Sequence, residues 1–335
     1  MQQPLPEFQY LEPKSIEEAS RMLAELGNQA MVIGGGTDMV PSMRQGLLSP
    51  KYLVSLQAIA GLRGIRWDDD EGLIIGPLTT LRSVETNPEV LKRFSFVAQA
   101  AHAVASPQVR EMATVGGNIC LDTRCNFYNQ SGNWRECSDA CTRLGGEYCK
   151  GSANGRARKC FAVFSGDLAT ALVAADARIT LHSARGERSL ALCDYYTGNG
   201  AKPHARESDE LLTGVAIPSR MQGVFGTYLK YRVRNSIDYP IAGVALTLRS
   251  KGAERISDDV RLVISGIVSK PLLVKGVPEL LNGKPLDDSL IEQAAAVARK
   301  AATPLANTAG DRNHRKLMIY EFTRQALVQA MSHVH

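Results

Sequence analysis

QAMVIGGGTDMV, residues 29–40, decides how the N-terminal part of this chain folds. Its apolar run from Ala30 to Ile33 ends on Gly34, Gly35 and Gly36, and Thr37 and Asp38 follow. A run of that length reads as a buried strand, and glycines at its end let the main chain turn sharply and approach a neighbour closely. Upstream, Ser15 and Glu18 form a capping-box pattern, and Ile16, Ala19, Met22, Leu23 and Leu26 recur at helical spacing until Gly27 supplies a stop. Downstream, KYLVSL at 51–56 reads as a second buried strand. Residues 1–57 therefore read as a small α/β unit.

Farther out, GLIIGPLTTLRSV at 72–84 reads as a strand through Gly76 and a turn at Pro77. Val90, Leu91, Phe94, Val97 and Ala101 then share one face of a helix from Pro88 to Val104. The segment 120–160 has no period, which at that length marks a functional insertion. FAVFSGDLATALVAADARITLHS, 161–183, returns to helix and strand patterning, so the insertion interrupts a domain rather than joining two. A boundary falls near IPSRMQG, 217–223; beyond it come three strands (TYLKYRVRN, AGVALTLRS and DVRLVISGIVS) and two helices (DDSLIEQAAAVARKAA and HRKLMIYEFTRQALVQAM). The expected fold class is α+β: a domain over 1–218, with subdomains of about 1–57 and 58–218, and a smaller α+β domain over 222–335.

The 335 residues are 44% apolar and 22% charged, with a net charge of +5 and basic residues scattered rather than striped. That balance argues against nucleic-acid binding. No apolar run reaches the roughly 20 residues of a membrane span, and the first residues lack the basic and apolar regions of a secretory signal. A cytoplasmic location is expected, and in a reducing compartment clustered cysteines are metal ligands or redox groups more often than disulfides.

Two glycine stretches are candidate phosphate sites. Gly34 to Asp38 suits a turn whose N–H groups close on an anion, or simply a tight turn. Thr114, Val115, Gly116, Gly117 and Asn118 form the second, so the two loops together can clamp a pyrophosphate from both sides.

Five of the seven cysteines fall within residues 118–150, and Cys160 follows. Four thiolates are the usual protein ligands of an iron–sulfur cluster. A four-cysteine zinc site competes, although only Cys137 and Cys141 show its short pair spacing, and incidental structural thiols are the third reading. The six histidines, His102, His182, His204, His314, His333 and His335, form no triad or ligand pair and read as surface or packing residues. No acid, base or nucleophile constellation is evident.

MVIGGGTDMVP, ASPQVREMATVGGNI, SGDLATALVAADA, ELLTGVAIP and YLKYRVRNSIDYPIAGVAL, in that order, resemble the FAD-binding medium subunit of the molybdenum hydroxylases, the xanthine oxidase family. NICLDTRCNFYNQS resembles the insertion in the β subunit of 4-hydroxybenzoyl-CoA reductase, which carries a [4Fe-4S] cluster. The resemblance implies a two-subdomain FAD-binding fold of the PCMH type with an inserted iron–sulfur loop, then a C-terminal domain of three strands and a helical bundle. It implies that Val32, Ile33, Gly34, Gly35, Gly36, Thr37, Asp38 and Met39, with Thr114, Val115, Gly116, Gly117 and Asn118, hold the FAD diphosphate. Further FAD contacts fall on Val104, Asp167, Leu212 and Lys230; Asp167 is also placed to cap the helix after it. The cluster ligands implied are Cys125, Cys141, Cys149 and Cys160. The intervals of 16 and 8 residues match the reductase pattern, and the last, 11 against about 9, departs from it. Cys137 rivals Cys141, while Cys120 and Cys193 are left as buried or incidental.

The partners implied are a molybdopterin-binding large subunit and a [2Fe-2S] small subunit in an (αβγ)2 assembly, with a ferredoxin-like carrier delivering electrons. The medium FAD subunit of an N-heterocycle or xanthine dehydrogenase-type hydroxylase is an alternative, as is a stand-alone flavoprotein with a zinc loop.

Overall fold

The structure, a computed structural model, describes residues 4–251 and 256–333; His335 and the outermost ends of both expected domains lie outside the described residues. Among the described residues, three sheets organise the chain. In the first, β1 (Gln9–Leu11), β2 (Ala30–Ile33) and β3 (Tyr52–Ser55) are parallel in the order β1-β3-β2, with Val32 opposite Val54. The helix Ile16–Leu26, capped by the Ser15 hydroxyl accepting from the Glu18 N–H, buries Ala19 and Leu23 against Val54 and Leu56. Each large side chain so enclosed contributes about 1.5–3 kcal/mol. The glycine stretch thus leaves the carboxyl end of β2, where open parallel sheets place their ligands. β1 was not expected, because three residues, two of them exposed, carry no legible period.

The second sheet is antiparallel, order β4-β5-β8-β6-β7, from β4 (Ile65–Asp68), β5 (Gly72–Ile75), β6 (Arg178–Ser183), β7 (Gly186–Ala191) and β8 (Leu211–Ile217). The helix Asp167–Ala174 lies in its core with every residue buried, consistent with a segment that is apolar on all sides. The single helix expected over 88–104 is two, Pro88–Arg93 and Ser95–His102. Phe94 breaks it with φ −143°, and its buried ring packs edge-on against Phe96, centroids 6.4 Å apart. Tertiary burial of that ring overrides a continuous helical period.

The third sheet has four strands where three were expected: β9 (Phe225–Tyr231), β10 (Ala242–Lys251), β11 (Ile256–Ser265) and β12 (Leu272–Leu273), in the order β12-β11-β10-β9. The added strand is two residues long, pairing Val263 and Ile264 with Leu273 and Leu272. The helices Gly276–Leu281, Asp288–Ala301 and Arg312–His333 pack with this sheet as one α+β unit. Within the cysteine segment only the short turns Gly132–Glu136 and Thr142–Leu144 are helical. Among the described residues no helix is long and apolar enough to cross a membrane.

Candidate functional site

The two glycine stretches meet. A Cβ on Gly35 lies 1.9 Å from the Met112 carbonyl oxygen, and one on Gly34 lies 3.0 Å from the Thr114 hydroxyl, so only glycines allow this approach. Gly36 takes φ +70°, a conformation natural to glycine. The N–H groups of Gly35, Gly36, Thr37 and Asp38 make no hydrogen bond among the described residues. Four successive uncommitted donors at a strand end form an anion-binding concavity.

The second stretch is built differently from the expectation. Its N–H groups are already engaged: Val115 donates to Thr79 O (2.9 Å), Gly116 to Pro77 O (2.8 Å), Gly117 to the capping Thr114 hydroxyl (3.1 Å) and Asn118 to Thr114 O (2.9 Å). It therefore acts as the wall that holds the first loop, and a main-chain clamp from both sides is not what the structure provides. Asn118 carries the wall onward by accepting from the Ala169 N–H at 3.1 Å. Leu212 on β8 packs under Gly116, 3.5 Å from where its Cβ points.

Asp167 does not cap its helix; Gly166 holds that position without a side-chain bond. Its carboxylate instead accepts from the Tyr228 hydroxyl at 2.6 Å and pairs with the Lys230 ammonium at 2.9 Å. Both side chains of the pair are 4% exposed. Burial pushes the Asp167 carboxyl up and the Lys230 ammonium down, and their mutual attraction resists both shifts. Lys230 also donates to Ala103 O at 2.8 Å, which sets it beside Val104. Lys230 is thus half of a buried pair with Asp167, and its bond to Ala103 O ties the C-terminal domain to the end of the helix Ser95–His102. Removing either partner costs about 3–5 kcal/mol.

The cysteine segment is wired to this site. Arg124 pairs with Asp38, donates to the Tyr239 hydroxyl at 2.9 Å, and forms a two-way backbone bridge with Val163. Cys125, Cys141, Cys149 and Cys160 are 4–7% exposed, whereas Cys137 is exposed and Cys120 and Cys193 are half-buried. Burial pushes the Cys125 thiol up to about 11, and the charges of Cys160, Cys149 and Cys141 act on it in the same direction. The Cys160 thiol is raised by burial and by Cys149 and Cys141, with the Arg143 cation pulling it back. Among the described residues no three His, Cys, Asp or Glu side chains are gathered to hold a metal ion.

Around the thiols stand residues that spacing alone did not reveal. Arg143 lies over the Tyr128 ring at 4.0 Å, and Tyr128 packs with Cys125 and Cys160. Asn307, from the C-terminal domain, accepts from the Asn126 N–H and donates to Phe161 O, each at 2.7 Å, clasping both ends of the segment.

The described histidines are packing and surface groups, with one buried ring of consequence. His204 stacks on Tyr195, centroids 4.9 Å apart, and its Nε2 is enclosed without a partner. Burial pushes the ring from its ordinary 6.5 to about 3. The neutral form is favoured by the fold, so this contribution is complete above pH 6.5 and is lost as pH falls toward 3. Part of the residue's surface remains open, which limits the effect to about 2 kcal/mol or less at pH 5. Between pH 7.5 and 5 the unfolding free energy from urea titration is expected to fall by up to that much more in the wild type than in His204→Phe; equal losses in the two proteins exclude His204 as the source.

The chain as a whole resembles known proteins. Residues 6–220 match the family model described as the FAD binding domain in molybdopterin dehydrogenase, and residues 227–330 match the CO dehydrogenase flavoprotein C-terminal domain. The nicotine 6-hydroxylase medium subunit of Paenarthrobacter nicotinovorans is 28% identical over 97% of this chain and 98% of its own. The carbon monoxide dehydrogenase medium chain of Hydrogenophaga pseudoflava is 25% identical, covering 96% of each chain. Among solved structures, reconstituted CO dehydrogenase from Oligotropha carboxidovorans superimposes with a TM-score of 0.79 at 26% identity, over 98% of this chain and 99% of that one.

Proposed function

This chain belongs to the family of FAD-binding domains of molybdopterin dehydrogenases, and from that premise we propose that it joins a flavin to a [4Fe-4S] cluster in one electron-transfer subunit. As a medium subunit of the molybdenum hydroxylase type it is part of an oxidoreductase. The finer reading adds the cluster, on Cys125, Cys141, Cys149 and Cys160, and a reductase of the 4-hydroxybenzoyl-CoA type.

The observation that carries the cluster is the sorting of the cysteines by the fold. The four ligands that the resemblance implies are buried, while Cys137 faces solvent. Their donor chemistry fits, since the set is all thiolate with no imidazole or carboxylate. Zinc requires its sulfurs at about 2.3 Å from one point. Zinc sites also favour cysteine pairs two to four residues apart, a spacing that none of these four shows with another of the set. Such a cluster supplies one-electron storage at a potential set by charge, hydrogen bonding and exposure.

The flavin fits the first loop on the same kind of ground. The uncommitted N–H groups from Gly35 to Asp38 suit the diphosphate, with Val32, Ile33 and Met39 flanking them and Thr114 to Asn118 as the opposing wall. Val104, Leu212, Asp167 and Lys230 border the remainder of the cofactor. Bound there, FAD supplies the redox chemistry, and the chain contributes binding and orientation.

In this reading a molybdopterin-binding large subunit and a [2Fe-2S] small subunit complete an (αβγ)2 complex in the cytoplasm, with a ferredoxin-like donor. Purification from the native host under anaerobic conditions tests it. The expected preparation is yellow-brown, holds one FAD and about four irons with matching sulfide per chain, and carries both partner chains. Flavin with zinc and no acid-labile sulfide points to the zinc-loop alternative instead.

A further inference from the structure

Three segments far apart in sequence converge on the Arg124 guanidinium. It pairs with Asp38 of the glycine loop, donates to the Tyr239 hydroxyl at 2.9 Å and lies over the Tyr239 ring at 5.0 Å. Tyr239 closes the triangle by donating to the same Asp38 oxygen at 3.1 Å. The side chain is 13% exposed, and its backbone is fixed by the bridge to Val163 and its Nη1 bond to Asp122 O at 3.2 Å. Cys125 is the next residue. Arg135 adds a second strap by donating to Gly46 O at 2.8 Å, just past the helix that the glycine loop leads into.

We propose that Arg124 is the positioning residue that couples the flavin loop to the cysteine segment, so that filling either site tightens the other. The idea rests on the reading above, in which the loop holds FAD and the cysteines hold a cluster. Fixing Cys125 fixes Arg124, and Arg124 fixes Asp38 next to the uncommitted N–H groups. Ordering by one ligand then spares part of the ordering the second requires. Linkage makes the effect reciprocal and of the usual size for such coupling, roughly tenfold.

The test measures FAD affinity of the full chain, iron-replete and after chelation of its iron, alongside Arg124→Met, Arg124→Lys and Tyr239→Phe. Wild type is expected to bind FAD roughly tenfold more weakly once depleted. In Arg124→Met that difference collapses, while Tyr239→Phe, losing only the hydroxyl bridge, keeps part of it. Arg124→Lys preserves the charge without the planar fork and falls between. An iron dependence undiminished in Arg124→Met overturns the coupling, as does a wild type that holds both groups independently. A wild type free of iron and sulfide overturns the cluster reading itself, and iron analysis of the same samples tells the two failures apart.

Discussion

Serine in place of Cys125, Cys141, Cys149 or Cys160, one at a time, is expected to lower iron and acid-labile sulfide from about four per chain to a small fraction. The same change at Cys137 is expected to leave both unchanged. The difference is expected because soft thiolate is the preferred ligand of such a centre, and a hydroxyl in the same place is a harder and far less acidic donor. Burial sharpens the contrast. The four thiols are buried, with Tyr128 packed against Cys125 and Cys160, whereas Cys137 is exposed. Metal analysis, sulfide assay and low-temperature paramagnetic resonance of the reduced protein read the outcome. Flavin content at saturating FAD serves as the folding control. Full iron in all four variants, or loss at Cys137 with retention at Cys141, refutes this ligand set.

Gly35→Ala is expected to weaken FAD binding by roughly 10- to 100-fold, the equivalent of about 1–3 kcal/mol of overpacking. The added methyl meets the Met112 carbonyl oxygen at 1.9 Å and its carbon at 2.7 Å, both backbone atoms that cannot rotate aside. The loops must part, which moves the row of uncommitted N–H groups away from the wall that positions them. Gly214→Ala is the control, because its Cβ meets only Thr180 side-chain atoms at ordinary contact distances of 3.5–3.6 Å. Flavin titration by absorbance or fluorescence compares the two. Equal affinity in Gly35→Ala and wild type rules out this loop as the diphosphate site.

Much of the scaffold was legible in the order of residues alone. Short apolar runs marked β2 and β3, and apolar stretches bounded by turn residues marked β5 and the three long strands of the C-terminal sheet, because a strand buried in a core must be apolar along its length. The triple glycine and the cysteine intervals were equally local signals. Where the reading failed, a distant group intervened. The helix over 88–104 breaks because the Phe94 ring finds a place beside Phe96 and Trp67, and the latter lies outside any local window.

The sequence by itself determined which backbone could turn tightly at 34–36 and which thiols were available in a long aperiodic insert. Only the tertiary structure decided that the N–H groups of 115–118 are spent on the wall rather than offered to a ligand. It alone matched Lys230 to Asp167 across 63 residues, and joined Arg124 to Asp38 across 86. The reason is physical: local propensity is written within one or two turns of chain, but a buried charge is tolerated only beside its partner, and packing alone brings such partners together.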